Sequence, residues 1–240
     1  MPRTIAFILA LLALGARAGC ATIATAAVNQ QDTSRTFSTV VVDPGHGGKD
    51  SGASRRFGPV EKVITLDVAQ RLNRKLRQSQ IATVMTRSSD VFIPLDERVA
   101  IGNRQRNSIF VSIHFNDSRR GGTQGIETYY GSPYARGLAQ RIQSKLLTLA
   151  GARGGGVRTA RFRVIRNAIY PSVLVECGYL SNRTEGRESG RGEYREMLAD
   201  KIAQAIVEER SGRGAYGVST HTASANNLAR GGSTSGAPAH

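Results

Sequence analysis

Thr39-Val40-Val41-Val42-Asp43-Pro44-Gly45-His46-Gly47-Gly48 opens the part of this chain that can fold. Three consecutive valines form a short β-branched run, and Asp-Pro-Gly ends it, so the stretch reads as a buried strand feeding a loop. Beyond it, Pro59 opens a helical pattern. Ile64, Val68, Leu72 and Leu76 fall on one face, and Arg71, Arg74, Lys75 and Arg77 lie elsewhere. Residues 81–86 then read as a second strand, Leu95–Arg104 as a short helix and Ser108–Ile113 (SIFVSI) as a third strand. Gly125–Tyr130 is a further strand, followed by an amphipathic helix over Tyr134–Leu149. Phe162–Arg166 and Val173–Cys177 read as strands, and Tyr194–Glu209 as a closing helix. Strands alternating with helices predict an α/β single domain with a mixed, mainly parallel β-sheet flanked by helices. In such a sheet, functional groups gather in the loops beyond the strand ends.

Composition agrees with one domain plus flexible ends. Hydrophobic residues make up 40% of the 240, enough for a core, while 27 glycines and no tryptophan argue against a helical bundle. Lys and Arg number 33 against 18 acidic residues, a net charge of +15 that favours polyanionic partners without choosing among them. The N-terminal residues narrow the choice. Arg3, the unbroken apolar run Ile5–Leu14 and the small-x-small site Ala16-Arg17-Ala18 have the order of a signal peptide over residues 1–18, too short to span a membrane. The protein is therefore expected to be exported, to a periplasm or the cell envelope. Cys20 sits just past the cleavage point and could carry a lipid that anchors the chain to a membrane. Arg17, however, stands where such a signal has an aliphatic residue, so plain secretion is expected. Residues 19–37, rich in Ala, Thr, Gln and Ser, suit a flexible tether, and 211–240, almost free of large apolar residues, a disordered tail. The folded unit expected between them is 38–210, a monomer that keeps its structure when both ends are removed. Cys20 and Cys177 make no disulfide framework, and Cys177, in an apolar stretch, reads as a small buried hydrophobe.

Two histidines leave apolar strands for loops: His46 after the first strand and His114 at the end of the third. A hydrolytic zinc site takes three protein ligands and leaves one position for water. Glu61, at the start of the first helix, is the best third candidate. Structural imidazoles and an N-terminal helix acid favoured by the dipole fit the same three residues equally well, and no short metal signature such as HExxH decides between them. Glu176, inside the apolar run Ser172-Val173-Leu174-Val175-Glu176-Cys177-Gly178, reads either as half of a buried ion pair or as a general base whose pKa the apolar setting raises. The Gly45–Gly48 loop lacks the Gly-Lys-Ser/Thr that phosphate binding would need.

Val42-Asp43-Pro44-Gly45-His46-Gly47-Gly48, with Asp50 and Gly52-Ala53, resembles the opening motif of zinc-dependent N-acetylmuramoyl-L-alanine amidases of the cell-division and sporulation type. Thr86-Arg87 with Asp90, Leu95–Arg98, Ser112-Ile113-His114-Phe115-Asn116, Gly125–Tyr130 and Pro171–Asn182 match later motifs in order, over about residues 39–208. The resemblance implies a peptidoglycan hydrolase that cuts the amide between N-acetylmuramic acid and L-alanine. It makes His46, Glu61 and His114 the ligands of a Zn²⁺ ion and Glu176 the catalytic glutamate. The departures are Phe115, where a small residue is commoner, and Cys177 and Tyr179, where an apolar residue and Phe are usual. Only 117–125 separates the third strand from the next, so an occluding helical insert of the kind some relatives carry cannot fit there.

Peptidoglycan is the expected partner and nucleic acid is not, since a nucleic-acid binder explains the charge but neither the export signal nor Glu176. The rival readings are a zinc peptidase acting within the peptide stem and a catalytically inactive wall-binding domain. Arg153, Arg158, Arg161, Arg163 and Arg166 form an acid-free cluster, which reads either as a grip on stem carboxylates or as a solvated basic face.

Overall fold

Val40, Val41 and Val42 are fully buried, but in two different places. Side chains alternate along a strand, so Val40 and Val42 enter one apolar cluster and Val41 a second on the opposite face. A strand buried on both faces sits inside a parallel sheet, and that is where β1 (Thr39–Pro44) lies. The computed structural model describes residues 28–53, 57–120, 122–149 and 151–212. The remaining elements are α1 (Glu61–Gln78), β2 (Ala82–Met85), α2 (Leu95–Asn103), β3 (Ser108–Asn116), β4 (Ile126–Tyr130), α3 (Arg136–Leu146, entered through a 3₁₀ turn at Pro133–Ala135), β5 (Gly154–Thr159), α4 (Arg163–Arg166), β6 (Ser172–Tyr179), α5 (Arg183–Ser189) and α6 (Gly192–Ser211).

The six strands run in the order β2-β1-β3-β6-β4-β5. β2, β1, β3 and β6 are mutually parallel, β4 is antiparallel to β6, and β5 is parallel to β4. Residues of α1, α3 and α6 cover one face, where the stripe Ile64, Val68, Leu72 and Leu76 of α1 is buried as its spacing predicts. Residues of α2 and α4 cover the other. This is the expected mixed, mainly parallel α/β sheet, and the C-terminal ends of β1, β3 and β6 open on the same side. Among the described residues, no helix is long and apolar enough to cross a membrane.

Three local readings change. Phe162–Arg166 is not a strand: Val164 and Ile165, neighbours in sequence, are both buried, which a half-buried strand does not allow, and they form the short helix α4. The edge strand is instead Gly154–Thr159, whose three glycines have the lowest strand preference. Glycine is required there because a Cβ on Gly155 would overlap the side chain of Glu127, and Gly156 has φ of +101°. The folded unit also begins before residue 38. Phe37 is fully buried in the larger cluster, the Thr33 hydroxyl donates to the Ser108 carbonyl, and the Gln31 N–H donates to Ile169 O at 2.9 Å. Burying a phenylalanine contributes about 1.5–3 kcal/mol, so this part of the expected tether is structural. The expected signal peptide, Cys20 and the tail from 213 onward lie outside the described residues.

Candidate metal centre

The loop after β1 turns back on itself. His46 has φ of +60°, and Gly47 and Gly48 follow at +128° and +56°. A non-glycine residue in the left-handed region needs its surroundings to hold it there, and buried arginines do so here. Arg98 of α2 donates to Pro44 O at 2.6 Å, to His46 O at 2.6 Å and to Ile93 O at 2.9 Å. Arg87 donates to Pro44 O at 3.1 Å and to Gly45 O at 2.7 Å. Asp43, 1% exposed, balances Arg98, 2% exposed, at 2.9 Å and also accepts from the Thr86 and Ser112 hydroxyls at 2.6 and 2.7 Å. Gly45 lies against the ring of His114, where a Cβ would collide with it.

This scaffold brings together the three ligand candidates from β1, α1 and β3. His46 Nε2 lies 3.0 Å and His114 Nδ1 3.1 Å from the same oxygen, Glu61 Oε1. The three ligand atoms all fall within 4.8 Å of one another. Zinc bonds of about 2.0–2.2 Å in a tetrahedron set ligand atoms roughly 3.4 Å apart, so the observed spacings need little adjustment. On its far side His46 Nδ1 faces Asp50 Oδ2 at 2.9 Å. With the Nδ1 proton given to Asp50, Nε2 can meet a carboxylate oxygen only through a shared cation, a proton or a metal. Glu61 is further fixed by the Phe115 N–H on Oε1 at 3.0 Å and the Ala53 N–H on Oε2 at 2.8 Å.

The electrostatics follow from these contacts. Burial pushes the Glu61 carboxyl up, but hydrogen bonds and charge from His114 and His46 outweigh it and hold the group well below the usual carboxylate range. Burial lowers both imidazoles, yet Glu61 raises each above its ordinary value, with Asp50 contributing at His46 and the charge of Glu176 at His114.

Glu176 lies in β6, in register with His114 on one side and Glu127 of β4 on the other. Its Oε2 is buried without a hydrogen-bond partner among the described residues. Burial, reinforced by the negative charges of Glu61 and Glu127, pushes its pKa to about 7 against the pull of the two histidines. Of the two open readings, the ion pair is absent: among the described residues no Arg or Lys pairs with Glu176. Glu127 differs although it is the adjacent carboxylate. Its Oε2 accepts from Tyr129 at 2.9 Å, Asn116 at 3.1 Å and Tyr179 at 3.3 Å, and its Oε1 lies 3.4 Å from Arg158. The departure from Phe at 179 thus supplies a hydroxyl to Glu127, while Phe115 and Cys177 are buried in the core. His46, Glu61, His114, Asn116 and Glu176 line a cavity of about 550 Å³.

Asp43, Arg87, Arg98, Asp50 and Glu127 had no role from sequence reasoning, although all five fall inside the quoted motifs. The signal was present in Asp43, an acid closing a valine run, and in Arg98, a cation beside the buried Val99. The arginine cluster does not act as one unit. Arg158 meets Glu127, and Arg163 binds Asp96 through two hydrogen bonds at 2.5 and 2.7 Å. Arg161 and Arg166 lie elsewhere, at the wall of a second cavity.

Comparison with known proteins adds independent information. The family model described as N-acetylmuramoyl-L-alanine amidase matches residues 40–208. The chain is 39% identical over 188 residues to the N-acetylmuramoyl-L-alanine amidase LytC of Bacillus subtilis. That match covers 77% of this chain but only 37% of LytC, a much longer protein. Among solved structures it is similar to the amidase AmiC2 of Nostoc punctiforme (TM-score 0.69, 38% identity, 71% of this chain and 95% of that one). It is also similar to the amidase of Clostridium difficile 630 (TM-score 0.70, 32% identity, 74% and 99%).

Proposed function

This chain belongs to the N-acetylmuramoyl-L-alanine amidase family, and from that premise we propose that it hydrolyses the amide between the lactyl group of N-acetylmuramic acid and L-alanine in peptidoglycan, using zinc. The observation that carries the reading is the pairing of the His46–Glu61–His114 donor set with Glu176, whose buried oxygen has no hydrogen-bond partner among the described residues. Two imidazoles and one carboxylate suit zinc and leave a position open. His46, Glu61 and His114 would hold the ion, and Asp50 would fix the His46 ring by accepting its Nδ1 proton.

A zinc ion bound there supplies Lewis-acid chemistry, lowering the pKa of water and polarising the scissile carbonyl. Glu176 takes the proton from the attacking water, and a carboxyl poised near neutrality does this efficiently at physiological pH. It then delivers that proton to the departing L-alanine nitrogen. Glu127, fixed by the Tyr129, Asn116 and Tyr179 donors, sets negative charge beside Glu176 and so disfavours the Glu176 anion. The short 117–125 connection carries no helix among its described residues, which supports the expectation that the protein acts without an added activator. Action on peptidoglycan places the protein in the cell envelope, reached by export.

Metal analysis tests the reading. Full-length protein should retain about one zinc per chain, chelation should abolish release of stem peptide, and zinc should restore it. Full activity in a metal-free preparation would refute the reading. A zinc peptidase would leave muramic acid substituted, and an inactive wall-binding domain would release nothing.

A further inference from the structure

A second cavity, of about 500 Å³, lies where the chain leaves β4, between the 3₁₀ entry to α3, the end of β5 and α4. It shares no lining residue with the cavity of the metal centre. Glu127 pairs with Glu176 across the sheet, whereas Tyr130, at the cavity, pairs with Val173, three residues back along β6. At 3.3–3.4 Å per residue the two sites are separated by about 10 Å along the strands.

Arg136 of α3, Arg161 after β5 and Arg166 of α4, whose Nε also donates to Asn167 Oδ1 at 3.1 Å, line this cavity, and no carboxylate does. Among the described residues, none of the three pairs with an acid, in contrast to Arg158 and Arg163. Like charges gathered without a counter-charge repel one another and favour a bound anion. Ser132, also in the wall, is 3% exposed, and its hydroxyl is buried without a partner among the described residues. An unmade buried hydrogen bond is costly, and a ligand oxygen would satisfy it. Water could serve the hydroxyl but would not balance three guanidiniums. Tyr130, Pro133 and Ala160 supply an uncharged part of the wall. A bare phosphate would leave that part unused, whereas a carboxylate on a short aliphatic group uses both.

We propose that this cavity is an anion-binding site for a carboxylate carried on a short aliphatic group, the chemistry of a peptide C terminus. Arg161 and Arg166 hold the carboxylate, Ser132 donates to it, and Tyr130 and Pro133 contact the aliphatic part. Extended peptide covers about 3.3–3.6 Å per residue, so roughly three residues bridge the strand-wise separation from the metal centre. Under the amidase reading the carboxylate belongs to a peptide stem, but the binding itself requires no hydrolysis, so the two ideas fail separately.

The test is titration of the full chain with alanyl-alanine, its C-terminal amide and inorganic phosphate, followed by calorimetry and by the NMR signals of the arginine Nε–H groups. The free acid should bind at least tenfold more tightly than the amide. Arg161→Ala combined with Arg166→Ala should weaken it at least tenfold with an unchanged thermal midpoint. Ser132→Ala should weaken it severalfold without lowering thermal stability, because the hydroxyl it removes has no partner among the described residues. Equal affinity for acid and amide, or binding untouched by the arginine pair, would overturn the site. Phosphate binding more tightly than the dipeptide at these arginines would overturn the carboxylate assignment in favour of a phosphate-bearing polymer.

Discussion

Replacing Arg98 by methionine should destabilise the domain and loosen the metal centre together. Arg98 is 2% exposed and faces Asp43, 1% exposed, at 2.9 Å, while its remaining donors satisfy the carbonyls of Pro44, His46 and Ile93. Methionine fills much of the volume but leaves a buried carboxylate with only the Thr86 and Ser112 hydroxyls. Removing one partner of a buried ion pair costs about 3–5 kcal/mol, and some of the freed carbonyls will reach water, so about 4 kcal/mol is expected. At about 2–4 °C per kcal/mol for a domain of this size, the thermal midpoint should fall by roughly 8–16 °C. Asp43→Asn added to Arg98→Met removes the stranded charge, and the double variant should recover about 1–3 kcal/mol relative to additivity. Urea unfolding followed by circular dichroism measures all three. A loss below about 1 kcal/mol for Arg98→Met, or strict additivity of the pair, would refute the claim that this ion pair supports the His46 loop.

The other predictions concern single roles. Glu176→Ala should keep its metal and lose about 10²–10⁴ in turnover, read by metal analysis and peptide release, and near-normal turnover would remove it from the mechanism. Glu61→Ala should instead fail to retain metal, seen in competition with a chromogenic chelator. Asp50→Asn should weaken metal affinity by about 10–100-fold, chiefly through the orientation of His46, and unchanged affinity would show that the 2.9 Å contact is idle. Truncation before Thr39 should lower stability by a few kcal/mol because it deletes Phe37, whereas truncation before Val28 should not, and equal midpoints would contradict the packing of residues 28–37.

Much of the fold is legible in periodicity. The valine run of β1 and the stripe of α1 need only their own residues to be read, because each buries a continuous face. β5 was not legible: Gly155 is required by the close approach of Glu127, 28 residues away in sequence on a neighbouring strand, and Gly156 by its φ of +101°, while locally the glycines resemble a loop. α4 was misread because Val164 and Ile165 have strand propensity that tertiary packing overrides. His46, Glu61 and His114 carry no mutual spacing signal, since parallel topology alone brings the ends of β1 and β3 to the start of α1. Family resemblance supplied what spacing could not. The supporting residues were hidden for a related reason: Asp43, Arg87 and Arg98 look like ordinary loop and helix polar residues until their buried partners are seen.

The most direct measurement is product analysis of purified sacculi digested by the zinc-loaded full chain. Mass spectrometry should find free stem peptides beginning with an unblocked L-alanine amine, together with glycan whose muramic acid carries a free lactyl carboxylate, and Glu176→Ala should yield neither. Fragments cut inside the stem, with L-alanine still attached to muramic acid, would contradict the assignment of this site to the muramoyl amide.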